Sequence, residues 1–150
     1  MKNLLSIIIL FFIFSGCQKK KIEEQSKTDN AIILKYIADH KLNASSTNSG
    51  IYYVVNKIGN GTYPNSNSQV KVAYKGYFSD GTIFDKSENI GIIFGLQEVI
   101  KGWTEGIPYF SEGGSGTLLI PSSLGYGSKG TSGIPENSVL IFDINLIAVY

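Results

Sequence analysis

The sequence predicts an α+β domain in which an antiparallel β-sheet wraps around one short α-helix, with a helical extension at the N-terminus. Two observations carry this. After Gly50 the chain falls into five short β-type runs separated by Gly, Asn and Ser clusters, and only Gln97–Gly106 among them has helical character. Glycine, at 17 residues against 4 prolines, suits a turn-rich, strand-rich domain. A length of 150 residues accommodates one domain and a tail, and 43% hydrophobic residues suffice for a packed core. At 17% the charged fraction is too low for a disordered chain, and a net charge of +1 gives no bulk electrostatic case for nucleic acid. A single cysteine rules out an internal disulfide framework.

Lys2 precedes the apolar run Leu4–Phe14, the pattern of a secretory signal h-region and shorter than the roughly 20 apolar residues of a spanning helix. The run leads directly into Phe14-Ser15-Gly16-Cys17. That junction resembles the bacterial lipobox, which implies cleavage of a signal peptide 1–16, lipidation of Cys17, and a protein anchored to a bacterial membrane facing the periplasm or cell exterior. An ordinary signal peptide with an incidental cysteine, or an uncleaved anchor, are the alternatives. Gln18–Ser26, with three consecutive lysines, reads as a solvated tether. Next, Asn30–Leu42 carries Ile32, Ile33, Tyr36 and Ile37 at helical spacing, with Thr28, Asp29 and Asn30 as candidate caps. Such a helix packs on the domain or pairs with a second copy; packing, and hence a monomer, is the expectation. His40, the single histidine, reads as a surface residue, and no Cys/His cluster exists for a metal. The segment 17–49 is thus tether and helix, and 50–150 the folded domain.

Within that domain, Asn43–Gly50 reads as a loop and Ile51–Val55 as the first strand, before a polar loop through Gln69. Val70–Phe78 alternates at its start like a half-buried strand, Ser79-Asp80-Gly81 turns, and Thr82–Phe84 resumes. The helix Gln97–Gly106 follows. Gly113–Gly116 is a turn, lacking the lysine of a nucleotide loop, and leads to the strand Thr117–Ile120. Ser138–Val149, rich in β-branched residues, closes the sheet.

The stretches Val72-Ala-Tyr-Lys-Gly76, Asp80-Gly-Thr-Ile-Phe-Asp-Lys-Ser87, Gln97-Glu-Val-Ile-Lys-Gly-Trp-Thr-Glu-Gly106, Leu119-Ile-Pro121, Gly125-Tyr-Gly127, Ile134-Pro135 and Leu140-Ile-Phe-Asp143 occur in sequence from Gly50 to Val149. Together they closely resemble the FK506-binding protein (FKBP) family of peptidyl-prolyl cis-trans isomerases. The resemblance implies a pocket lined by Tyr74, Phe84, Val99, Ile100, Trp103, Tyr126, Ile134 and Phe142, with Trp103 as the floor under a proline ring. It implies substrate contacts through the Tyr126 hydroxyl and the Ile100 backbone N–H, and a carboxylate, Asp85, at the wall. Asp85, Tyr126 and Phe142 are the candidate catalytic residues. Asp85 either accepts a hydrogen bond from a neighbour such as Tyr74 or biases the field at the substrate carbonyl; on its own it would read equally as a turn residue. The implied ligands are proline-containing polypeptides and FK506-type macrolides, with no cofactor.

Rotation about a prolyl bond breaks no covalent bond, so an apolar cup without nucleophile or acid–base pair is adequate equipment. The same cup also suits a second reading, a low-turnover module that holds proline-containing segments as a chaperone. Two departures from the family pattern stand out. The segment between Phe84 and Gln97 is shortened, with Ile90 and Ile92 where aromatics commonly stand, and the Gly127–Ile134 loop carries Thr131 in place of a larger residue. A thinner wall, altered preference before proline and weaker macrolide binding are the expectations.

Overall fold

A computed structural model describes the backbone from Lys2 to Tyr150 and side chains from Gln18 onward. The cleavage site after residue 16 and the lipidation of Cys17 therefore lie outside the described side chains. The elements are α1 (Lys2–Asp39), β1 (Ser45–Ser46), β2 (Tyr52–Lys57), β3 (Gln69–Tyr77), β4 (Ile83–Lys86), β5 (Ile92–Gly95), α2 (Lys101–Gly106), β6 (Ser115–Ile120) and β7 (Leu140–Val149). All strand pairs are antiparallel, in the order β1-β2-β6-β7-β3-β4 with β5 also on β3.

The two-residue period of the strands assigns side chains to two faces. Val70 and Val72 on β3, Leu118 and Ile120 on β6, and Leu140, Phe142, Ile144 and Leu146 on β7 point to one face, where they pack with Trp103, Ile107 and Phe110. Leu119 and Ile141, between them in sequence, point to the other and pack with Ile33 of α1. One sheet thus carries α2 inside its curve and α1 on its back. The short α2 seats tightly because Gly102 lies against the Ile120 side chain, where any Cβ would collide. Thr104 secures it further, donating its hydroxyl to the Leu96 carbonyl at 2.5 Å.

Three features differ from the sequence reading. Gln18–Ser26 is not a tether but part of α1, and the expected caps Thr28, Asp29 and Asn30 lie in the helix interior. No Gly or Pro interrupts Gln18–Asp39, and the charges there are spaced to pair along the helix: Glu23 with Lys27 at 2.8 Å and Lys35 with Asp39 at 2.6 Å. Asp29 is instead buried against the domain. Secondly, β1 forms within the presumed loop, pairing Ser45 with Tyr53 and Ser46 with Tyr52; two serines carry no apolar signal. Thirdly, β5 pairs with β3 from Gln69↔Gly95 to Val72↔Ile92, so the sheet has seven strands where five were expected. Its mixture of exposed Ile92 and Ile93 with half-buried Phe94 hides the usual alternation.

Ile33 is fully buried between α1 and the back of the sheet. Replacing it with alanine should destabilise the chain by about 2–5 kcal/mol, read as a lowered denaturation midpoint. A cost near zero would mean that α1 does not dock in solution.

Candidate functional site

The inner face of the sheet and the start of α2 enclose a cavity of about 550 Å³, within the usual range for small-ligand sites. Tyr74, Phe84, Asp85, Val99, Ile100, Trp103, Tyr126, Ile134 and Phe142, the nine candidate residues, all line it. β3 and β7 are hydrogen-bonded neighbours, which places Tyr74 and Phe142 on the same face. Asp85 on β4 lies opposite Gly76 on β3, and the 3₁₀ turn Ser122–Leu124 leads into the segment that carries Tyr126.

Trp103 forms the floor, 4% exposed. Three aromatic rings meet it edge to face: Tyr74 at 5.1 Å and 87°, Phe94 at 5.4 Å and 84°, and Phe142 at 5.3 Å and 80°. Phe84 stands edge-on to Phe142 at 5.5 Å. In these T-shaped contacts the positive edge of one ring meets the negative face of another, so the indole is held in one orientation. Its N–H is buried without an acceptor among the described residues. Gly76 makes room for the aromatic wall, since a Cβ there would come within 2.6 Å of Phe84 and 2.8 Å of Phe142.

The polar groups are few. Asp85 Oδ2 accepts a hydrogen bond of 2.7 Å from the Tyr74 hydroxyl, which favours the first of the two roles weighed for this carboxylate. Burial, and then the adjacent Asp85 carboxylate, push the Tyr74 hydroxyl well above the ordinary phenol range. Tyr74 therefore stays a donor throughout the neutral range. On the rim, Tyr126 is 41% exposed and its hydroxyl has no partner among the described residues. The Ile100 N–H, immediately before α2, is likewise without an acceptor there. Ile134 closes the far side, 7% exposed, held by reciprocal backbone bonds with Thr131 at 2.9 and 3.0 Å. His40 lies apart on the surface, stacked on Tyr36.

Sequence reasoning missed Phe94, Glu98 and Ser132 in the lining. Phe94 matters most. Ile90 and Ile92, expected to thin this wall, are 73% and 44% exposed, and Phe94 fills the place beside Trp103 and Tyr74. The signal was there in principle, because Phe94 pairs with the inward-facing Val70 once β5 is recognised as a strand.

An antiparallel sheet around a short helix, with an aromatic cup floored by that helix's tryptophan, defines the class of FKBP-type domains. Comparison with known proteins agrees: residues 61–147 match the family model for FKBP-type peptidyl-prolyl cis-trans isomerase. The chain is 39% identical over 133 residues to the FKBP-type peptidyl-prolyl cis-trans isomerase FkpA of Buchnera aphidicola subsp. Schizaphis graminum, covering 87% of this chain and 52% of that protein. It superposes on a peptidyl-prolyl cis-trans isomerase from Pseudomonas syringae with a TM-score of 0.75 and 34% identity, covering 85% of this chain and 94% of the other. For FkpA from Escherichia coli the TM-score is 0.73 at 33% identity, over 95% of this chain and 71% of that one. The chain belongs to the FKBP-type peptidyl-prolyl cis-trans isomerase family, and it spans about half the length of the curated relatives it matches.

Tyr74, and Tyr77 on the back of the sheet, both have hydroxyls held above the ordinary phenol range, chiefly by burial. In the unfolded chain each ionises near pH 10, so their stabilising contribution is complete below about pH 10 and is lost as pH rises beyond it. Denaturation midpoints measured from pH 8 to 11 should be flat to about pH 10 and then fall, and Tyr74→Phe should fall less steeply than wild type. Equal slopes would rule out the tyrosine as a source. Gly76→Ala should displace Phe84 and Phe142, costing about 1–3 kcal/mol of stability by overpacking and weakening any ligand of the cup; unchanged stability by chemical denaturation would contradict the close approach.

Proposed function

We propose that this protein is a peptidyl-prolyl cis-trans isomerase that accelerates rotation of X–Pro bonds in polypeptides folding outside the cytoplasm. The observation that carries the reading is the Trp103 floor ringed by Tyr74, Phe94 and Phe142, with two unpaired donors, the Ile100 N–H and the Tyr126 hydroxyl, at its mouth. The barrier to rotation arises from amide resonance and is about 18–20 kcal/mol. A planar amide is more dipolar than a twisted one, so an apolar cup raises the planar state relative to the twisted state. Each tenfold of rate requires only about 1.4 kcal/mol of that difference. In this mechanism Trp103 packs the proline ring and the rim donors hold the carbonyls on either side of the bond. Asp85 fixes the Tyr74 ring that forms one wall, and Phe142 shapes the cup against the rotating amide.

The lipobox-like Phe14–Cys17 junction supports a signal peptide 1–16 and a lipid anchor at Cys17, placing the isomerase domain 50–150 on a bacterial membrane facing the periplasm or exterior. Among the described residues no helix is long and apolar enough to cross a membrane. The docking of Ile33 onto its own sheet supports a monomer. FK506-type macrolides are the further ligand class we infer for this cup, whose wall Phe94 lines where the shortened Phe84–Gln97 segment was expected to thin it.

The test is the cis-to-trans rate of a short X–Pro peptide with protein beginning at Gln18, with and without FK506. Acceleration is expected, with Asp85→Val and Phe142→Tyr each lowering kcat/KM by about tenfold while the peptide still binds. Well-folded wild-type protein that binds the peptide but does not accelerate it would replace this reading with the low-turnover chaperone module.

A further inference from the structure

Asp29 is the one buried charged side chain among the described residues, 1% exposed, and nothing in the mechanism above uses it. Its Oδ2 accepts from the backbone N–H of Ser122 at 2.8 Å and from the Ser122 hydroxyl at 2.6 Å; its Oδ1 accepts from Gln25 Nε2 at 2.7 Å. No basic side chain pairs with it among the described residues. A carboxylate without a countercharge is costly to bury unless donors saturate it, and two of its three donors belong to a single residue across the domain. That residue begins the 3₁₀ turn Ser122–Leu124, from which Gly125 leads to Tyr126 at the mouth of the cup. Beyond Tyr126 the Gly127 carbonyl accepts from the Asn137 N–H at 2.8 Å. Tyr126 is therefore suspended between two fixed points, one of them on α1. The apolar contact of α1 does not explain this arrangement, because the buried partners of Ile33 are Leu119, Val139 and Ile141, none of them on the Tyr126 segment.

We propose that Asp29 is a positioning residue: through Ser122 it makes the docked N-terminal helix hold the Tyr126 hydroxyl in place at the cup. The N-terminal helix is then a working part of the site and not only a spacer. The functional half of the proposal rests on the isomerase reading; the positional half does not.

The experiment uses the full chain in detergent micelles, labelled with 3-fluorotyrosine, with the Tyr126 fluorine resonance assigned by its loss in Tyr126→Phe. Asp29→Asn should shift or broaden that resonance. Tyr52→Phe, which removes a different helix–domain bond, from Tyr52 to Asn30 at 3.0 Å, should leave it in place. In parallel, Asp29→Asn should lower kcat/KM about fivefold, the scale of one displaced hydrogen bond, and have no further effect in the Tyr126→Phe background. An unmoved Tyr126 resonance in folded Asp29→Asn protein would overturn the proposal, as would an equal loss of rate in both backgrounds. Should Asp29→Asn not fold, Ser122→Ala, which keeps the backbone donor and removes only the hydroxyl, is read by the same two measurements. A wild-type chain without isomerase activity would sink the isomerase reading alone, and the fluorine spectra would still decide the position of Tyr126.

Discussion

The structure depends on the fixed orientation of Trp103. Its indole is the only surface broad and flat enough on α2 to floor a cavity, and it stays in place because three rings meet it at nearly right angles. Those rings come from three strands, β3, β5 and β7, so the floor cannot be built until the sheet has closed around the helix. The demand for close approach extends to the backbone. Glycine at 76 admits the aromatic wall, and glycine at 102 lets α2 sit directly on Ile120. A cup made this way has an aromatic floor and walls with polar groups at its rim, which suits a reaction whose transition state differs from its ground state in shape and dipole and breaks no covalent bond.

The second constraint is that one sheet serves two helices. Alternate residues of β6 and β7 face opposite ways: Leu118 and Phe142 build the cup side, while Leu119 and Ile141 receive Ile33 of α1. Strands buried on both faces read as nearly continuous apolar runs, and β7 does so. The back face also carries a polar cluster. Asp143 accepts from Tyr77 and Thr117 and pairs with Lys75 at 3.0 Å, while Tyr77 reaches the Tyr36 hydroxyl on α1. The N-terminal helix is thereby joined to the domain by apolar and polar contacts together. Similarity to the Escherichia coli FkpA structure covers 95% of the chain and so runs into this helix as well.

How much was legible varied with the kind of signal. The cup residues could be read because their motifs are dense, ordered and aromatic, and the strands carrying them alternate clearly. Phe94 escaped because β5 is short and two exposed isoleucines precede it, so its facing is visible only from its pairing with Val70. β1 escaped because two serines carry no hydrophobic period. For α1, local rules pointed the wrong way: Thr28-Asp29-Asn30 looks like a capping site, yet Asp29 is engaged with Ser122, 93 positions further along the chain.

Legible from the sequence were the α+β class, the single helix within the sheet and, through the resemblance to the FKBP family, nine residues around one cup. The first two rest on local periodicity, and the nine residues on motifs whose order and composition resemble those of that family. Tertiary packing alone set the hydrogen bond from the Tyr74 hydroxyl to Asp85, the place of Phe94 beside Trp103, and the bonds from Ser122, four residues before Tyr126, to Asp29 of the N-terminal helix. Each of these is a contact between residues distant in the chain or across strands, where the partner is chosen by register and packing, and no local pattern in a single sequence records that choice.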